Sequence, residues 1–372
     1  MERREVNSRT GSSPSRTPRL CLAVTSLVGG SGGIARVACL MAKVLAHEVG
    51  RGRLAARAIG LLDPAARPDL GIPFSPGRGS RVRFIGTVNL AAVRSTHFLY
   101  DSLAMARAHD RLPLLHRPSL VWIHGVEVWE RARPSRLAAA RRADILVANT
   151  GYSRTRADAL HGGFARARIC WLGTESDEPG AGCDRKNGPP IVMILGRLEP
   201  GRDKGHRALI ACWPEVTAAV PDARLIVVGT GADLEPVRRC ASGSRAARSI
   251  EFRGFVPDAD IEELWARTTV FAMPSRSEGF GLTYIEAMRH GVPVIASVHD
   301  AAPEINIDGQ TGYNVDLDRN GELARRLIGL LADRDLAARL GDAGRSRWAE
   351  HFCFSAFRTR FLPLLGELLA RD

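Results

Sequence analysis

The chain has no run of about 18 consecutive apolar residues, so no membrane-spanning helix is expected. Cysteine is sparse and unpatterned. Seven occur, an odd number, and no Cys-x-x-Cys spacing is present. That argues against a disulfide framework and a structural zinc site, and it fits a reducing cytoplasm. Lysine is nearly missing: only Lys43, Lys186 and Lys204 stand among 52 basic residues. Aromatics make up 6% of the chain and few lie among the arginines. With no nucleic-acid motif visible, a base-stacking surface is not expected. The basic first segment, residues 1–18, lacks the apolar core of a secretion signal and reads as a disordered tail.

What is present points to a two-domain protein. The 372 residues exceed one ordinary core, and 45% hydrophobic content with mixed charge is that of a soluble globular chain. The net charge of +12 is unevenly placed. Residues 1–178 hold 27 basic against 14 acidic residues, whereas residues 179–372 hold 25 against 26. All the excess is in the first half. An Arg-rich genome composition accounts for part of it. Contact with the anionic face of a membrane is the functional reading. A second reading is a non-catalytic nucleic-acid- or membrane-binding protein, and it rests on charge alone.

Apolar periodicity alternates along the chain. Buried strands are expected near residues 20–27, 54–62, 82–86, 119–124, 145–149 and 169–172, and helices over 34–48 and 131–142. Residues 176–190 carry no periodic pattern and read as a linker. Alternation then resumes, with strands at 191–195, 224–228, 250–253, 270–273 and 292–296. Helices lie between them, and more follow at 320–340 and from 343 onward. Strands alternating with helices imply two parallel doubly wound sheets.

The most informative stretch is 274–297. Glu278 and Glu286 stand eight residues apart around Gly279-Phe280-Gly281-Leu282, and an apolar strand follows. A loop feeding a helix N-terminus exposes backbone N–H groups that suit a phosphate. The carboxylates suit polyol hydroxyls. Gly196-Arg197 follows one strand directly, and Lys204-Gly205 comes just before the next helix. A departing diphosphate needs its charge neutralised. With no Asp-x-Asp metal motif expected in the chain, these two cations are the candidates. Gly32-Gly33 closes a Gly-rich turn after the first strand, where backbone amides can approach a phosphate. His124 ends another strand. A lone histidine is more often structural, but its place at a strand end beside Gly125 favours function.

The whole string from Pro274-Ser275 through Glu278-x7-Glu286 to Gly291-x-Pro293-Val294-Ile295-Ala296 resembles the retaining glycosyltransferases of family four, the glycosyl transferases group 1. That resemblance implies a GT-B fold, two Rossmann-like domains facing across a cleft. It implies an acceptor-side domain at 19–175, a nucleotide-sugar-binding domain at 191–350, and a last helix, 351–372, packing back on the first domain. It assigns Arg197 and Lys204 to the diphosphate. It gives Glu278 and His124 to the transferred sugar as the catalytic pair, and Glu286 to the ribose. It places Gly32, Gly33, Gly279, Phe280, Gly281 and Leu282 along the donor, with the base against the backbone of Phe255 and Val256. Glu127 and Trp129 are expected to shape the acceptor side, and the Pro303-Glu304 segment is expected to be structural. The implied reaction moves a hexose from a GDP- or UDP-sugar to a glycan or lipid-linked hydroxyl, with no metal and no cofactor. A cytoplasmic enzyme with peripheral membrane contact is expected.

Overall fold

The computed structural model describes residues 17–28, 32–109, 117–130, 132–182, 188–202 and 204–371. The tail over 1–16, the middle of the Gly-rich turn at 29–31, and 183–187 of the expected linker lie outside the described residues.

Two parallel sheets organise the chain. The first has seven strands: β1 (Arg19–Val24), β2 (Ala55–Gly60), β3 (Phe74–Pro76), β4 (His97–Tyr100), β5 (Ser119–Ile123), β6 (Ile145–Ala148) and β7 (Arg168–Ile169), in the order β3-β2-β1-β4-β5-β6-β7. The second has six: β8 (Ile191–Leu195), β9 (Arg224–Val228), β10 (Ile250–Gly254), β11 (Val270–Ala272), β12 (Val294–Ser297) and β13 (Gly312–Val315), in the order β10-β9-β8-β11-β12-β13. Both are the doubly wound order. The crevice that such a sheet offers a ligand lies beyond the carboxyl ends at the point where strand order reverses. Those points fall between β1 and β4 and between β8 and β11.

The central strands form where short apolar runs can be covered on both faces. Leu20 to Val24, Ser119 to Ile123 and Val270 to Ala272 are buried throughout, as expected of parallel strands under helices. The helix Gly33–Gly50 carries Val37, Leu40, Met41, Val44 and Leu45 at helical spacing and buries them all.

Three expectations change. Residues 82–86 are not a strand but part of the helix Arg81–Arg94. The Ser80 hydroxyl accepts from Arg83 N–H at the helix start, and Phe84, Val88, Ala91 and Ala92 form the buried stripe. The neighbouring strand is instead β4, a four-residue run. The span expected as one helix over 320–340 breaks at Asp333, whose carboxylate accepts from Leu336 N–H at 2.8 Å and caps a new helix, Arg334–His351.

The last helix, Phe354–Leu369, lies on the first sheet. Phe357 and Phe361 stand 6.1 and 5.7 Å from Trp122 of β5. Glu48 is buried between the guanidinium groups of Arg358 (2.6 Å) and Arg53 (2.9 Å). Burial works against its ionisation, but those two partners outweigh burial and hold the carboxyl below its ordinary range. The two chain crossings between the domains run side by side. Thr174 N–H donates to Phe352 O at 2.7 Å, and Phe354 N–H donates to Ser176 O at 3.2 Å. The six described cysteines are free thiols.

Truncating the buried Phe357 by Phe357→Ala removes a ring from this seam and is expected to cost about 3–5 kcal/mol. Denaturant unfolding followed by tryptophan fluorescence checks this. A loss under about 1 kcal/mol would show that the last helix does not hold the first sheet.

Candidate functional site

The carboxyl ends of the two sheets face each other, and the expected site residues sit there. Gly32 is the N-cap of the helix Gly33–Gly50 at φ +98°, and a Cβ built on it would lie 3.2 Å from Arg197 Nη2. Arg197, just past the end of β8, therefore reaches across to the first domain. Gly33 faces Leu282, where a Cβ would be 3.6 Å from the side chain. Leu282 opens the helix Leu282–Arg289, so the N-termini of two helices meet in the cleft. Both carry unpaired N–H groups and partial positive charge.

The chain's two expected carboxylate ligands are each paired with a cation. Lys204 Nζ lies 2.8 Å from Glu278 Oε1. Glu286 pairs with Arg36, from the first turn of the helix Gly33–Gly50. Lys204 and Glu278 come from separate motifs, and the fold brings them to hydrogen-bond distance.

Glu278 is held from behind by Asp300. One Asp300 oxygen accepts from Glu278 N–H at 2.9 Å and the other from Ala302 N–H at 2.9 Å. Burial pushes the Asp300 carboxyl up to about 7, against those two donors. The preceding turn is fixed by Ser275, whose hydroxyl accepts from Ser277 N–H at 3.0 Å and whose carbonyl accepts from Ser297 Oγ.

Gly279 makes the closest approach between the domains. A Cβ there would fall 2.2 Å from the carbonyl oxygen of His124. The Gly279 carbonyl accepts from the Thr150 hydroxyl at 2.9 Å and the Ser153 hydroxyl at 3.2 Å. His124 is thereby set against the Glu278 loop. Its Nε2 bonds to Asp101 O at 2.6 Å. A carbonyl only accepts, so Nε2 carries the proton and Nδ1 is left as an acceptor. Burial lowers the imidazole to about 4, so it is neutral at pH 7. A neutral ring of fixed tautomer can accept a bond from a sugar hydroxyl.

Around it lie two buried carboxyls. Asp101 accepts from Thr25 N–H at 2.6 Å and from the Ser102 hydroxyl at 3.0 Å. Glu127 accepts from His124 N–H at 3.2 Å. Burial pushes both up to about 7. Asp101 thus holds the start of the Gly-rich turn with its side chain and His124 with its carbonyl. Trp129 is buried, stands 5.9 Å from Tyr152, and carries the Arg156 guanidinium over its ring at 4.4 Å.

Of the expected donor residues, Phe280 is placed otherwise than a side-chain contact would need. Phe280 is buried and packs edge-on against Phe352 at 6.1 Å, so its ring belongs to the core. The Phe255 ring is 70% exposed beyond β10, and Val256 packs partly into the core. The turns after β8, β9 and β10 are laced together through Gly196 N–H to Val228 O (3.0 Å) and Gly229 N–H to Gly254 O (2.8 Å).

Sequence reasoning missed Arg36, Asp101 and Asp300, and it took Glu304 as structural within its own turn. Glu304 in fact reaches across the cleft. It accepts from the first two N–H groups of the helix Gly151–His161, Gly151 (2.9 Å) and Tyr152 (2.5 Å), and from Trp171 Nε1 at 3.4 Å. Its Pro303-Glu304 setting was the one visible signal. Contrary to the expectation of no Asp-x-Asp motif, such triplets occur at 258–260, 316–318 and 333–335. Asp316 and Asp318 stand with His299 in a ligand-type cluster. Arg319 pairs with Asp316, Arg276 pairs with Asp318, and Leu317 N–H donates to His299 Nε2 at 3.1 Å.

Comparison with known proteins bears on the family and the fold. Residues 183–347 match the family described as "Glycosyl transferases group 1". The chain is similar to a GDP-mannose-dependent alpha-(1-6)-phosphatidylinositol monomannoside mannosyltransferase of Mycolicibacterium smegmatis, 35% identical over 246 residues, 61% of this chain and 64% of the relative. The Mycobacterium tuberculosis protein of the same name is 32% identical over 60% of this chain and 62% of its own length. The matches thus span a little under two thirds of these relatives. In shape the chain is similar to sucrose-phosphate synthase from Thermosynechococcus elongatus, with a TM-score of 0.79 at 19% identity over 96% of this chain and 100% of that one. It is also similar to Anabaena HepE crystallised with UDP and glucose, with a TM-score of 0.76 at 18% identity over 94% of this chain and 100% of that one. Residues 183–347 are thus similar to the glycosyl transferases group 1, and the fold of the chain is GT-B.

Proposed function

We propose that this protein is a retaining glycosyltransferase. It moves a hexose from a nucleoside diphosphate sugar to a hydroxyl of a glycan or lipid-linked acceptor, without a metal or other cofactor. Residues 191–350 serve as the donor side and residues 19–175 as the acceptor side. The observation that carries this reading is the Lys204–Glu278 pair at 2.8 Å, set against His124 by the Gly279 contact. Cation, carboxylate and neutral imidazole converge where a diphosphate and a sugar would meet. GDP-mannose is the favoured donor because the similar mycobacterial proteins are GDP-mannose-dependent.

In the proposed reaction the acceptor oxygen bonds to the anomeric carbon on the face from which the diphosphate leaves. The acceptor proton passes to the departing phosphate oxygen. Arg197, Lys204 and the two helix N-termini take up the growing charge, the form of stabilisation worth most in a closed cleft. Glu278 and His124 hold sugar hydroxyls. Side-chain cations thus do the work that a metal does elsewhere.

The acceptor proposal extends to a membrane surface on the cytoplasmic side. No helix among the described residues is long and apolar enough to cross a membrane. The helix Arg81–Arg94, however, exposes Val82 (83%), Leu90 (72%) and Val93 (64%) on one face. Arg83 and Arg94 are exposed on the same face. Apolar residues ringed by cations suit the headgroup layer of an anionic leaflet.

A panel of nucleotide sugars in a thermal-shift and transfer assay tests the reading. GDP-mannose is expected to stabilise the chain and to turn over equally well in EDTA. Lys204→Ala and Glu278→Ala are each expected to cut transfer about 100-fold or more, with the circular dichroism spectrum unchanged. Near-normal transfer by Glu278→Ala, or no shift with any nucleotide sugar, would overturn the assignment.

Gly279→Ala places a methyl against the His124 carbonyl. It is expected to hold the cleft open, raising the radius of gyration in solution scattering and abolishing transfer while circular dichroism is unchanged. An unchanged radius with full transfer would show that this contact does not matter. For the membrane face, Leu90→Asp with Val93→Asp is expected to remove co-sedimentation with anionic vesicles. Equal sedimentation of parent and variant would refute it.

A further inference from the structure

Arg36 lies in the first turn of the helix Gly33–Gly50, its N–H donating to Gly32 O at 3.3 Å. Its guanidinium pairs with Glu286 of the other domain. The side chains are 40% and 14% exposed, respectively. Both line a cavity of about 160 Å³ between the domains, together with Leu282, Ile285 and Arg289. The pair is therefore open to a ligand and is not sealed in the core.

The cavity carries two carboxylates, Glu175 and Glu286, but the helix start on which Arg36 lies has the features of an anion site. Gly32, one turn back, abuts the Arg197 guanidinium, and Gly33 abuts Leu282 at the start of the facing helix. Two helix N-termini, Arg197 and Arg36 so gather on one side of Glu286. A carboxylate that accepts from two hydroxyls of a diol needs no cation to offset its burial. The guanidinium it releases keeps its charge and has one nearby use, a bidentate bond to phosphate oxygens.

We propose that Arg36 is a donor-binding residue supplied by the first domain. The ribose hydroxyls displace it from Glu286, and it then turns onto the diphosphate, so that nucleotide binding exchanges an interdomain ion pair for an arginine clamp. The proposal rests on the nucleotide-sugar reading above. It makes Arg36 selective for the diphosphate over the nucleoside: the phosphate gains the cation, whereas the ribose must compete with it.

The test is calorimetric titration of the full chain with GDP and with guanosine, for the parent, Arg36→Gln, Arg36→Lys and Glu286→Gln. Arg36→Gln is expected to weaken GDP about 10- to 100-fold, the scale of hydrogen bonds to a charged group. Guanosine is expected to bind unchanged or tighter, which also certifies the variant as folded. Arg36→Lys, which keeps the charge, is expected to recover part of the GDP affinity. Glu286→Gln is expected to weaken both ligands. If Arg36→Gln weakened GDP and guanosine by the same factor, or weakened neither, the proposal would be wrong. Failure of the parent to bind GDP or UDP at all would instead strike the nucleotide-sugar reading itself.

Discussion

The structure depends most on one close approach, the backbone of Gly279 against the carbonyl of His124. Two sheets built on the same strand order present their carboxyl ends to each other, and only a residue without a Cβ lets them meet at this point. The hydroxyls of Thr150 and Ser153 then satisfy the Gly279 carbonyl. Glu304 satisfies the start of the helix Gly151–His161 from the opposite side. None of these contacts is large. Together they fix which first-domain groups stand beside the Glu278 loop, and so make one cleft from two independent sheets.

Charge placement follows from that closure. The carboxylates around Glu278 and Glu286 would repel each other and an incoming diphosphate if left bare. Lys204 and Arg36 neutralise them, one from within the second domain and one from across the cleft. In the proposed function the same cations receive the phosphate charge. Behind this layer the buried acids Asp300, Asp101 and Glu127 are pushed up to about 7 and act as acceptors for backbone N–H groups. Their work is to hold loops in place. The His124 tautomer is set by the Asp101 carbonyl in the same way.

Much of this was legible in the sequence, because period and punctuation carry the alternating strands and helices. The runs at 191–195 and 270–273 are apolar throughout and could only be buried strands. Residues 82–86 misled because Val, Phe and Ile suit a strand locally. The deciding signals were the Ser80 cap and the stripe that continues to Ala92, both outside that window. The strand His97–Tyr100 was missed because four residues beginning with histidine give too short a pattern. Within the site, residues carried by a compact motif were readable as candidates, as with Glu278 and Lys204, which the fold brings to 2.8 Å of each other. Residues whose role comes from a partner far along the chain were not. Arg36 looks like any arginine on a helix until Glu286 is brought beside it, and Asp300 looks like a turn residue until Glu278 N–H points at it.

The central claim is that the facing carboxyl edges hold a nucleoside diphosphate sugar. A crystal structure of the chain grown with GDP addresses it most directly. The account predicts a diphosphate within hydrogen-bond reach of Arg197, Lys204 and the N-terminus of the helix Leu282–Arg289, with the ribose hydroxyls on Glu286. GDP bound elsewhere on the chain, with the Lys204–Glu278 and Arg36–Glu286 pairs undisturbed, would contradict it.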